Sequence, residues 1–310
     1  MEEILGRKPV EVVAAVIRDA EGRVLIAQRP QDKHQGGKWE FPGGKVEAGE
    51  SRRSALAREL HEELGIEVTQ SARLISVYHE YEDKAVYLDV YEVVLWRGTP
   101  CGNEGQPIQW VQPDALSDFE FPEANAPIID SVILPKFIKI ISPVTSAESF
   151  KKQVLASLQF DPLPYLYYDF LEAELTHEQL NWLLDTAAAH QTEVIIQSPP
   201  PLIRGDYNLH LSANELLKAN VKPGAKRVSA TCSTPEELFK AQRLGLDFVF
   251  VGPVIVSSAG GDHGALGWPA FQSLVGRVNM PVYAMGGLND KSLERAREYG
   301  AQGVVTSIII

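Results

Sequence analysis

A group of carboxylate, guanidinium and glycine residues lies at fixed spacing within residues 44–66. Its members are Gly44, Glu50, Arg58, Glu59, Glu62, Glu63 and Gly65. Ser51 suits a helix N-cap and Gly65 suits the left-handed residue that ends a helix, so the segment between them predicts a helix. At about 100° per residue, Glu59, Glu62 and Glu63 fall on one arc and should converge on one point. Carboxylates at this spacing repel each other unless a cation binds them.

A hard divalent cation is the expected partner of these carboxylates. Mg²⁺ binds carboxylate oxygens together with substrate phosphates, so we expect Mg²⁺ here, with Mn²⁺ as the substitute. Arg58 lies one turn before Glu62 and is predicted to orient a carboxylate. Gly43 and Gly44 follow Pro42 and let the backbone approach a metal ion or a phosphate closely. The competing interpretation is a solvated acidic face on a surface helix.

The complete pattern resembles the Nudix box. Its form is Gly-x5-Glu-x7-Arg-Glu-aliphatic-x-Glu-Glu-x-Gly-aliphatic, and every fixed position is filled. The resemblance implies hydrolysis of a nucleoside diphosphate linked to a further group, in which water attacks phosphorus and metal ions neutralise phosphoryl charge. It also implies roles for individual residues. The expected metal-binding residues are Gly43, Glu59, Glu62 and Glu63, and the expected catalytic residues are Glu59 as a base, Arg58, Glu62 and the bracing Glu50.

Segments outside the box resemble the MutT-type enzymes, the 8-oxo-dGTP diphosphatases, in the same order and with similar spacing. They are residues 26–30, 39–45, 102–107 and 121–127. The resemblance implies a further metal-binding carboxylate at Glu104 and substrate contacts at Arg29, Phe41, Gly44 and Asn125. An amide such as that of Asn125 donates and accepts at once, which suits the altered edge of an oxidised guanine. Taken alone, Asn125 could cap a helix and Phe41 could be core.

The resemblance has two departures: Tyr81 stands where the MutT-type pattern has phenylalanine, and the second strand pair differs in its aromatic residues. The expected reaction is Mg²⁺-dependent hydrolysis of oxidised purine nucleoside triphosphates, chiefly 8-oxo-dGTP, to the monophosphate and pyrophosphate. This activity would sanitise the nucleotide pool and prevent mutation. One alternative is a Nudix pyrophosphatase for another nucleotide, a sugar nucleotide or a thiamine-related diphosphate. Another is a protein that senses a ligand or acts as a scaffold through its second domain.

The elements that must position these residues are short strands around the carboxylate helix. β-Branched and alternating runs predict strands at residues 12–17, 24–26, 72–78, 85–94 and 108–111, with a closing helix after Pro122. Leu56, Leu60 and Leu64 form the apolar stripe that would bury one face of the helix. The Nudix resemblance implies an α/β/α sandwich with a mixed sheet. We place the domain boundary after Leu134, which gives a Nudix domain at residues 1–134.

Residues 135–310 change to an alternation of apolar strands and helical segments. Eight candidate strands lie at residues 137–140, 165–169, 193–197, 208–211, 227–231, 248–251, 282–285 and 303–306. Helices are predicted at residues 178–190, 235–245 and 290–300. Eight β/α repeats of this length predict an α/β protein with a compact (β/α)8 barrel of the TIM type. The alternative is an open, doubly wound sheet with one strand miscounted.

Four segments of this region resemble thiamine-phosphate synthase and its relative TenI. They are residues 208–211, 228–234, 245–254 and 281–288. The fold binds phosphate at glycines and backbone amides after its late strands, which makes Gly252, Gly286 and Gly287 the candidates. The Asn-Asp-Arg segment, an acidic metal ligand and a loop lysine of the family are missing, so we expect no synthase activity. A phosphorylated, thiamine-like ligand is the candidate partner, and the alternatives are an isomerase-like or a purely structural barrel. Asp262 and His263 are candidate acid/base residues, but a solvated loop is the favoured interpretation of them.

The net charge and the cysteine content exclude some classes of partner and of cellular location. The net charge of -12 argues against a duplex nucleic acid or a membrane surface as partner, because polyanion binding needs massed cations. The 2 cysteines have no disulfide-framework spacing, and no leader or membrane span is evident, so we expect a cytoplasmic protein. His34 and His79 have no metal-ligand partners nearby in sequence and are expected to be polar surface or loop residues. Cys101 is expected to be incidental.

Overall fold

The computed structural model describes residues 9–142, 146–169, 175–197, 206–255 and 264–307. The chain divides into two compact units, Met1–Leu134 and Pro135–Ile310. No helix in these described ranges combines the length and the apolar character that crossing a membrane requires.

The described residues of the N-terminal unit, 9–134, form seven strands in two sheets. The strands are β1 Val10–Ile17, β2 Val24–Gln28, β3 Trp39–Glu40, β4 Gly43–Lys45, β5 Glu67–Glu80, β6 Ala85–Arg97 and β7 Ile108–Val111. One sheet has four strands in the order β4-β1-β6-β5 and is mixed, because β1 runs parallel to β6 and antiparallel to β4. The second sheet is antiparallel, with three strands in the order β3-β2-β7. The predicted mixed sheet is therefore confirmed, and a separate antiparallel sheet accompanies it.

Two helices cover opposite faces of strand β1. Helix α1 spans Arg52–Leu64 and helix α2 spans Ala126–Ile133. Alternate residues of β1, beginning with Val13, pack in one core cluster with the leucine stripe of α1. The intervening residues, Ala14 and Val16, pack in a second cluster with α2. Since successive side chains of a strand point to opposite faces, this division gives the α/β/α layering that the sequence predicts.

The C-terminal unit is a closed parallel barrel, which excludes the open-sheet alternative. Its strands are β8 Phe137–Ile140, β9 Tyr165–Asp169, β10 Val194–Gln197, β11 Asn208–Leu211, β12 Val228–Cys232, β13 Phe248–Val251, β14 Val282–Met285 and β15 Gly303–Ser307. They follow one another around the barrel in sequence order, and β15 pairs with β8 to close it. Every predicted strand is present within a residue of its expected bounds.

Six helices lie in the described part of the barrel unit. They are α3 Ala147–Ser157, α4 His177–Ala189, α5 Ala213–Lys218, α6 Pro235–Leu244, α7 Gly267–Val275 and α8 Leu293–Glu298. Helices α4, α5 and α6 each begin at a capping box, which satisfies amides that have no partner inside the helix. The helix predicted at residues 290–300 starts instead as the 3-10 turn Asp290–Ser292 before continuing as α8.

An aromatic stack occupies the barrel core. Val249 and Val251 pack outward with the helices, so Phe250 between them faces the interior. Its ring stacks on His210 with centroids 4.3 Å apart, and Tyr167 meets His210 edge-on at 5.3 Å. The two ring nitrogens of His210 lie 2.8 Å from the hydroxyls of Ser229 and Thr231. His210 is fully buried, and this burial lowers its pKa to about 3.

Candidate active site

Contacts fix both ends and the buried face of helix α1. The glutamate side chains of the helix therefore point in defined directions. The Ser51 side chain caps the first turn by accepting a hydrogen bond from the Ser54 amide. Gly65 ends the helix at φ 69°, a left-handed conformation that glycine adopts without a steric penalty. Leu56, Leu60 and Leu64 are buried along the predicted stripe. The predicted helix and both of its end signals are confirmed.

Arg58 forms a clamp on the carboxylates around it. Its Nε and one terminal nitrogen donate to the two oxygens of Glu50 at 3.1 and 2.9 Å, a bidentate geometry. The other terminal nitrogen donates to Glu59 at 2.9 Å and to Glu62 at 3.3 Å. The hydrogen bond from Arg58 lowers the pKa of Glu50, although burial partly opposes it. A further bond to the Lys45 carbonyl at 3.0 Å ties the glycine loop to the helix.

The expected convergence of Glu59, Glu62 and Glu63 on one point is only partly present. Arg58 holds Glu62 in a position where its side chain is 54% exposed. Glu63 instead accepts a hydrogen bond from the Gly43 amide at 3.0 Å. Glu59 and Glu62 therefore share one nitrogen of Arg58, whereas Glu63 is bonded to the Gly43 amide. Spacing along a helix does not reveal this division.

Gly43 and Gly44 bring backbone against the helix carboxylates. Gly43 has φ 149°, and a Cβ there would lie 2.1 Å from the Val13 carbonyl oxygen of the paired strand. A Cβ on Gly44 would lie 2.2 Å from the Glu59 carboxylate. Strand pairing therefore requires glycine at Gly43, whereas a side chain at Gly44 would displace the Glu59 carboxylate.

A cleft of about 340 Å³ brings most of the predicted site residues together. Of these, Arg29, Phe41, Gly43, Gly44, Glu63, Glu104 and Asn125 line it. Its volume falls within the range of roughly 300–1,000 Å³ that is typical of small-molecule pockets. The other predicted residues of this unit do not line the cleft; they are Glu50, Arg58, Glu59 and Glu62. The Arg58 clamp therefore supports the cleft from the side of helix α1.

Negative charge accumulates around Glu63. Burial raises the pKa of Glu63 to about 8, and the charges of Glu40, Glu59 and Glu104 add to the increase. The hydrogen bond from Gly43 opposes it. Carboxylates that raise one another's pKa in this way form a site where added positive charge is stabilising.

Glu40 is a cleft residue that sequence reasoning did not single out. It forms an ion pair with Arg29, whose Nε also donates to the His34 carbonyl at 3.0 Å. Burial raises the pKa of Glu40, and the Arg29 charge opposes that rise. Its position in the sequence could have indicated that Glu40 belongs to the site, because the whole segment 39–45 resembles the MutT-type enzymes.

The donor set of the cleft fits a hard divalent cation. Glu59, Glu63 and Glu104 offer carboxylate oxygens, the ligands that Mg²⁺ prefers, and their mutual repulsion is what a cation would relieve. Within the described ranges, no three histidine, cysteine, aspartate or glutamate side chains already form a group that could hold a metal ion. Arg58 and the Gly43 amide occupy carboxylate oxygens that a metal would otherwise use.

Asn125 lines the cleft without serving as a helix cap. It is 6% exposed and stands at the N-cap position of α2, yet its side chain makes no capping hydrogen bond. The cap interpretation of this residue is therefore not realised. Phe41 is 3% exposed and stacks on Phe121 with centroids 5.6 Å apart, so it is a core residue and a cleft residue at once.

His34 lies in a loop, as expected, whereas His79 lies near the end of strand β5 with 25% of its side chain exposed. Both rings pack edge-on against Tyr81, with centroid distances of 4.9 and 4.4 Å. His34 and Tyr81 both line the cleft. Tyr81 is distant in sequence from His34, which is why no local pattern indicates that contact.

The barrel glycines lie together, but strand packing accounts for their positions. The Val254 and Ile255 amides donate to the carbonyls of Met285 and Gly286 at 2.8 and 3.2 Å. A Cβ on Gly252 would lie 2.2 Å from the Met285 carbonyl oxygen, and one on Gly287 would lie 2.7 Å from the Ile255 carbonyl oxygen. Close backbone approach thus requires these glycines whether or not phosphate binds.

Three other residues that the sequence analysis considered remain, namely Asp262, His263 and Cys101. Asp262 and His263 lie outside the described residues. Cys101 is exposed, with its Sγ 3.1 Å from the Asn103 side-chain oxygen, in the loop that precedes Glu104.

Comparison with known proteins matches two family models to the chain. A NUDIX domain covers residues 13–131, and a thiamine monophosphate synthase family covers residues 173–309. A CTP pyrophosphohydrolase of Escherichia coli K12 is 40% identical over 124 residues, covering 40% of this chain and 91% of the relative. An 8-oxo-dGTP diphosphatase of the same organism is 37% identical over 122 residues, covering 39% and 95%. A solved MutT structure from work on Aliivibrio salmonicida and Vibrio cholerae is 42% identical with a TM-score of 0.37, covering 41% and 98%.

Proposed function

The chain belongs to the Nudix family of pyrophosphohydrolases, and we propose that its N-terminal unit hydrolyses oxidised purine nucleoside triphosphates, chiefly 8-oxo-dGTP. The products are the nucleoside monophosphate and pyrophosphate. Removal of an oxidised precursor before a polymerase uses it sanitises the nucleotide pool and prevents mutation. This role places the activity in the cytoplasm.

The observation that carries the proposal is the position of the Asn125 side chain in the cleft and its lack of a capping hydrogen bond. Asn125 is 6% exposed and lines the cleft, and its side chain makes no capping bond, although it stands where an asparagine would ordinarily cap a helix. An amide that lines a cleft without a capping role is available to a ligand. One amide can donate and accept at the same time, so it can distinguish a base edge whose donors and acceptors have been altered by oxidation. Arg29 and Phe41 line the same cleft and supply a cation and an aromatic surface beside the base.

The proposed residues act on the phosphates as follows. Glu63, Glu104, Glu59 and Glu62, with the Gly43 backbone, hold Mg²⁺, for which Mn²⁺ can substitute. When bound, the cation supplies the positive charge that offsets negative charge developing on the phosphoryl oxygens. Glu59 accepts the proton of the attacking water, and Arg58 orients its carboxylate. Gly44 lets the phosphates approach the backbone, and Glu50 braces the loop against the helix through Arg58.

A second candidate substrate is CTP. The identity to a CTP pyrophosphohydrolase, 40% over 124 residues, lies between the 37% over 122 residues and the 45% over 102 residues of two 8-oxo-dGTP diphosphatases. The carboxylate machinery would act on either nucleotide, so the residues around the base determine the outcome.

A substrate panel with Mg²⁺ tests the proposal. Pyrophosphate release is measured for 8-oxo-dGTP, dGTP and CTP, and we expect kcat/KM for 8-oxo-dGTP to exceed that for dGTP at least tenfold. Equal values for 8-oxo-dGTP and dGTP would refute the proposed substrate, and a preference for CTP would favour the second candidate. Glu63→Gln should abolish turnover of every nucleotide. Glu67→Gln is the matched control, because Glu67 is 67% exposed at the start of β5 and away from the cleft.

The C-terminal unit is a thiamine-phosphate synthase-like domain. We assign it residues 135–310, with the Nudix domain at residues 1–134, and propose that it binds a phosphorylated, thiamine-like ligand without synthase activity. The missing charged residues of the synthase pattern would leave a departing diphosphate unbound, whereas Gly252, Gly286 and Gly287 offer backbone groups to a phosphate. Isothermal titration of the full chain with thiamine phosphate should show binding heat. A titration without heat would contradict ligand binding.

A further inference from the structure

The C-terminal end of helix α1 carries backbone carbonyls that the helix itself cannot satisfy, because no amide follows one turn further along. The loop at residues 101–106 supplies donors for them. The Cys101 amide donates to the Leu64 carbonyl at 3.1 Å, and the Asn103 amide donates to the Glu63 carbonyl at 2.9 Å. The loop is therefore attached to the end of the helix that carries Glu63.

Glu104 lies in this loop, within a β-turn. The Gly105 amide donates to the Gly102 carbonyl at 3.0 Å and closes the turn. Glu104 is exposed, and it lines the cleft together with Glu63. The bond within the turn fixes the shape of the turn but not its direction relative to helix α1. The position of the Glu104 carboxylate therefore depends on contacts that join the turn to the helix.

The side chain of Gln106 makes such a contact with both ends of its amide. Its Nε2 donates to the Glu63 carbonyl at 2.9 Å, and its Oε1 accepts from the Glu104 amide at 2.9 Å. Both distances are ordinary for hydrogen bonds between nitrogen and oxygen. A side-chain amide can donate and accept at once, and Gln106 uses both capacities here. One side chain thus joins the backbones of two residues whose carboxylates line the same cleft.

Gln106 itself is half-buried and is not among the residues that line the cleft. It can therefore affect a bound ion only through the carboxylates that it positions. We propose that Gln106 is a positioning residue for the metal site, which holds the Glu104 turn against the end of helix α1 so that Glu104 and Glu63 can share one divalent cation. This inference rests on the proposed function in one respect, namely that these two carboxylates bind the metal ion.

Binding of Mn²⁺ to the full chain without nucleotide tests the inference, with free Mn²⁺ measured by electron paramagnetic resonance. Gln106→Met removes both hydrogen bonds with little change in side-chain length. We expect it to raise the Kd for Mn²⁺ about tenfold, at the lower end of the effect that partners of metal ligands typically have. Gln109→Met is the matched control and should bind as wild type does, since Gln109 is exposed on strand β7 and outside the cleft lining. An unchanged Kd in Gln106→Met would overturn the inference.

A double-mutant cycle separates positioning from general damage to the fold. In a Glu104→Gln background, Gln106→Met should weaken Mn²⁺ binding no further, because no carboxylate is left on the turn to position. An additive loss in that background would contradict the positioning role. Gln106→Ala removes the same two hydrogen bonds without a bulky side chain, so it should repeat both results. A wild-type Kd in that variant would also overturn the inference.

Hydrogen exchange of the metal-free protein gives a readout that depends on neither metal nor nucleotide. Mass spectrometry of a peptide spanning residues 101–107 should show faster amide exchange in Gln106→Met than in wild type and in Gln109→Met. The reason is that the Glu104 amide has lost its acceptor. Equal exchange in all three proteins would show that Gln106 does not hold the turn, and the inference would fail.

Failure of the inference is distinguishable from failure of the proposed function. If Glu104→Gln weakens Mn²⁺ binding whereas Gln106→Met does not, only the inference fails. If Glu104→Gln binds Mn²⁺ as wild type does, the proposed metal role of Glu104 fails, and the inference fails with it. A wild type without preference for 8-oxo-dGTP would refute the proposed substrate alone, because the Mn²⁺ comparison contains no nucleotide.

Discussion

Burial of His210 predicts a pH-dependent loss of stability in the barrel. Its folded-state pKa is about 3, whereas an unfolded histidine titrates near its ordinary value of about 6.5. Below pH 6.5 the unfolded chain therefore takes up a proton that the folded chain does not. The stability contribution is complete above pH 6.5 and is lost as the pH falls towards 3.

The size of this loss follows from the difference in proton uptake. At pH 5 the unfolded state gains RT ln(1 + 10^1.5), which is about 2 kcal/mol, relative to pH 8. The folded state gains almost nothing, and the result is the same for any folded-state pKa below about 4. A loss of this size is a large fraction of the stability of a typical domain.

Urea unfolding of wild type and His210→Gln between pH 8 and pH 5 measures the effect. Glutamine does not titrate but can still hydrogen-bond to the hydroxyls of Ser229 and Thr231, which lie 2.8 Å from the imidazole nitrogens. The variant should be less stable at pH 8, and its stability should fall by about 2 kcal/mol less than that of wild type on going to pH 5. His177→Gln, at the exposed start of α4, should follow the wild-type profile. Parallel profiles for wild type and His210→Gln would refute the assignment of a neutral, buried imidazole.

Two further predictions concern the cleft. Gly44→Ala should lower kcat at least tenfold in the pyrophosphate-release assay, because the new Cβ would lie 2.2 Å from the Glu59 carboxylate and displace it; unchanged kcat would show that the position of Glu59 does not matter for turnover. Glu40→Gln should raise KM for the preferred nucleotide several-fold with a smaller effect on kcat, because it releases the guanidinium of Arg29 from its ion pair; an effect confined to kcat would show that Glu40 serves the phosphates rather than the base.

Local patterns predicted the elements of the fold well. The spacing of Leu56, Leu60 and Leu64 fixes which face of α1 is buried, and a cap and a glycine fix its ends. The barrel strands are short apolar runs separated by turn residues, and each is present. These features depend on residues within a few positions of each other, so the sequence contains the necessary information.

The contacts inside the cleft were less predictable because they join distant segments. Spacing alone suggested that Glu59, Glu62 and Glu63 converge. Arg58 instead binds Glu59 and Glu62, and the Gly43 amide binds Glu63. The geometry of that division depends on how the glycine loop packs against α1. In the same way, the contact of His34 with Tyr81 arises only when a loop meets the end of strand β5.

The pairing of β15 with β8 has a topological consequence for the barrel. Ser307, at the end of the last strand, stands opposite Ile140, at the end of the first, so the last strand ends the length of one strand away from Phe137, where the chain enters the barrel. A short linker could join these points, and the chain could be reopened in the exposed segment between α5 and β12 without breaking any strand pair. Such a circular permutant would keep the barrel closed while giving it a new first strand. The order of strands around the barrel therefore does not determine which strand comes first along the chain.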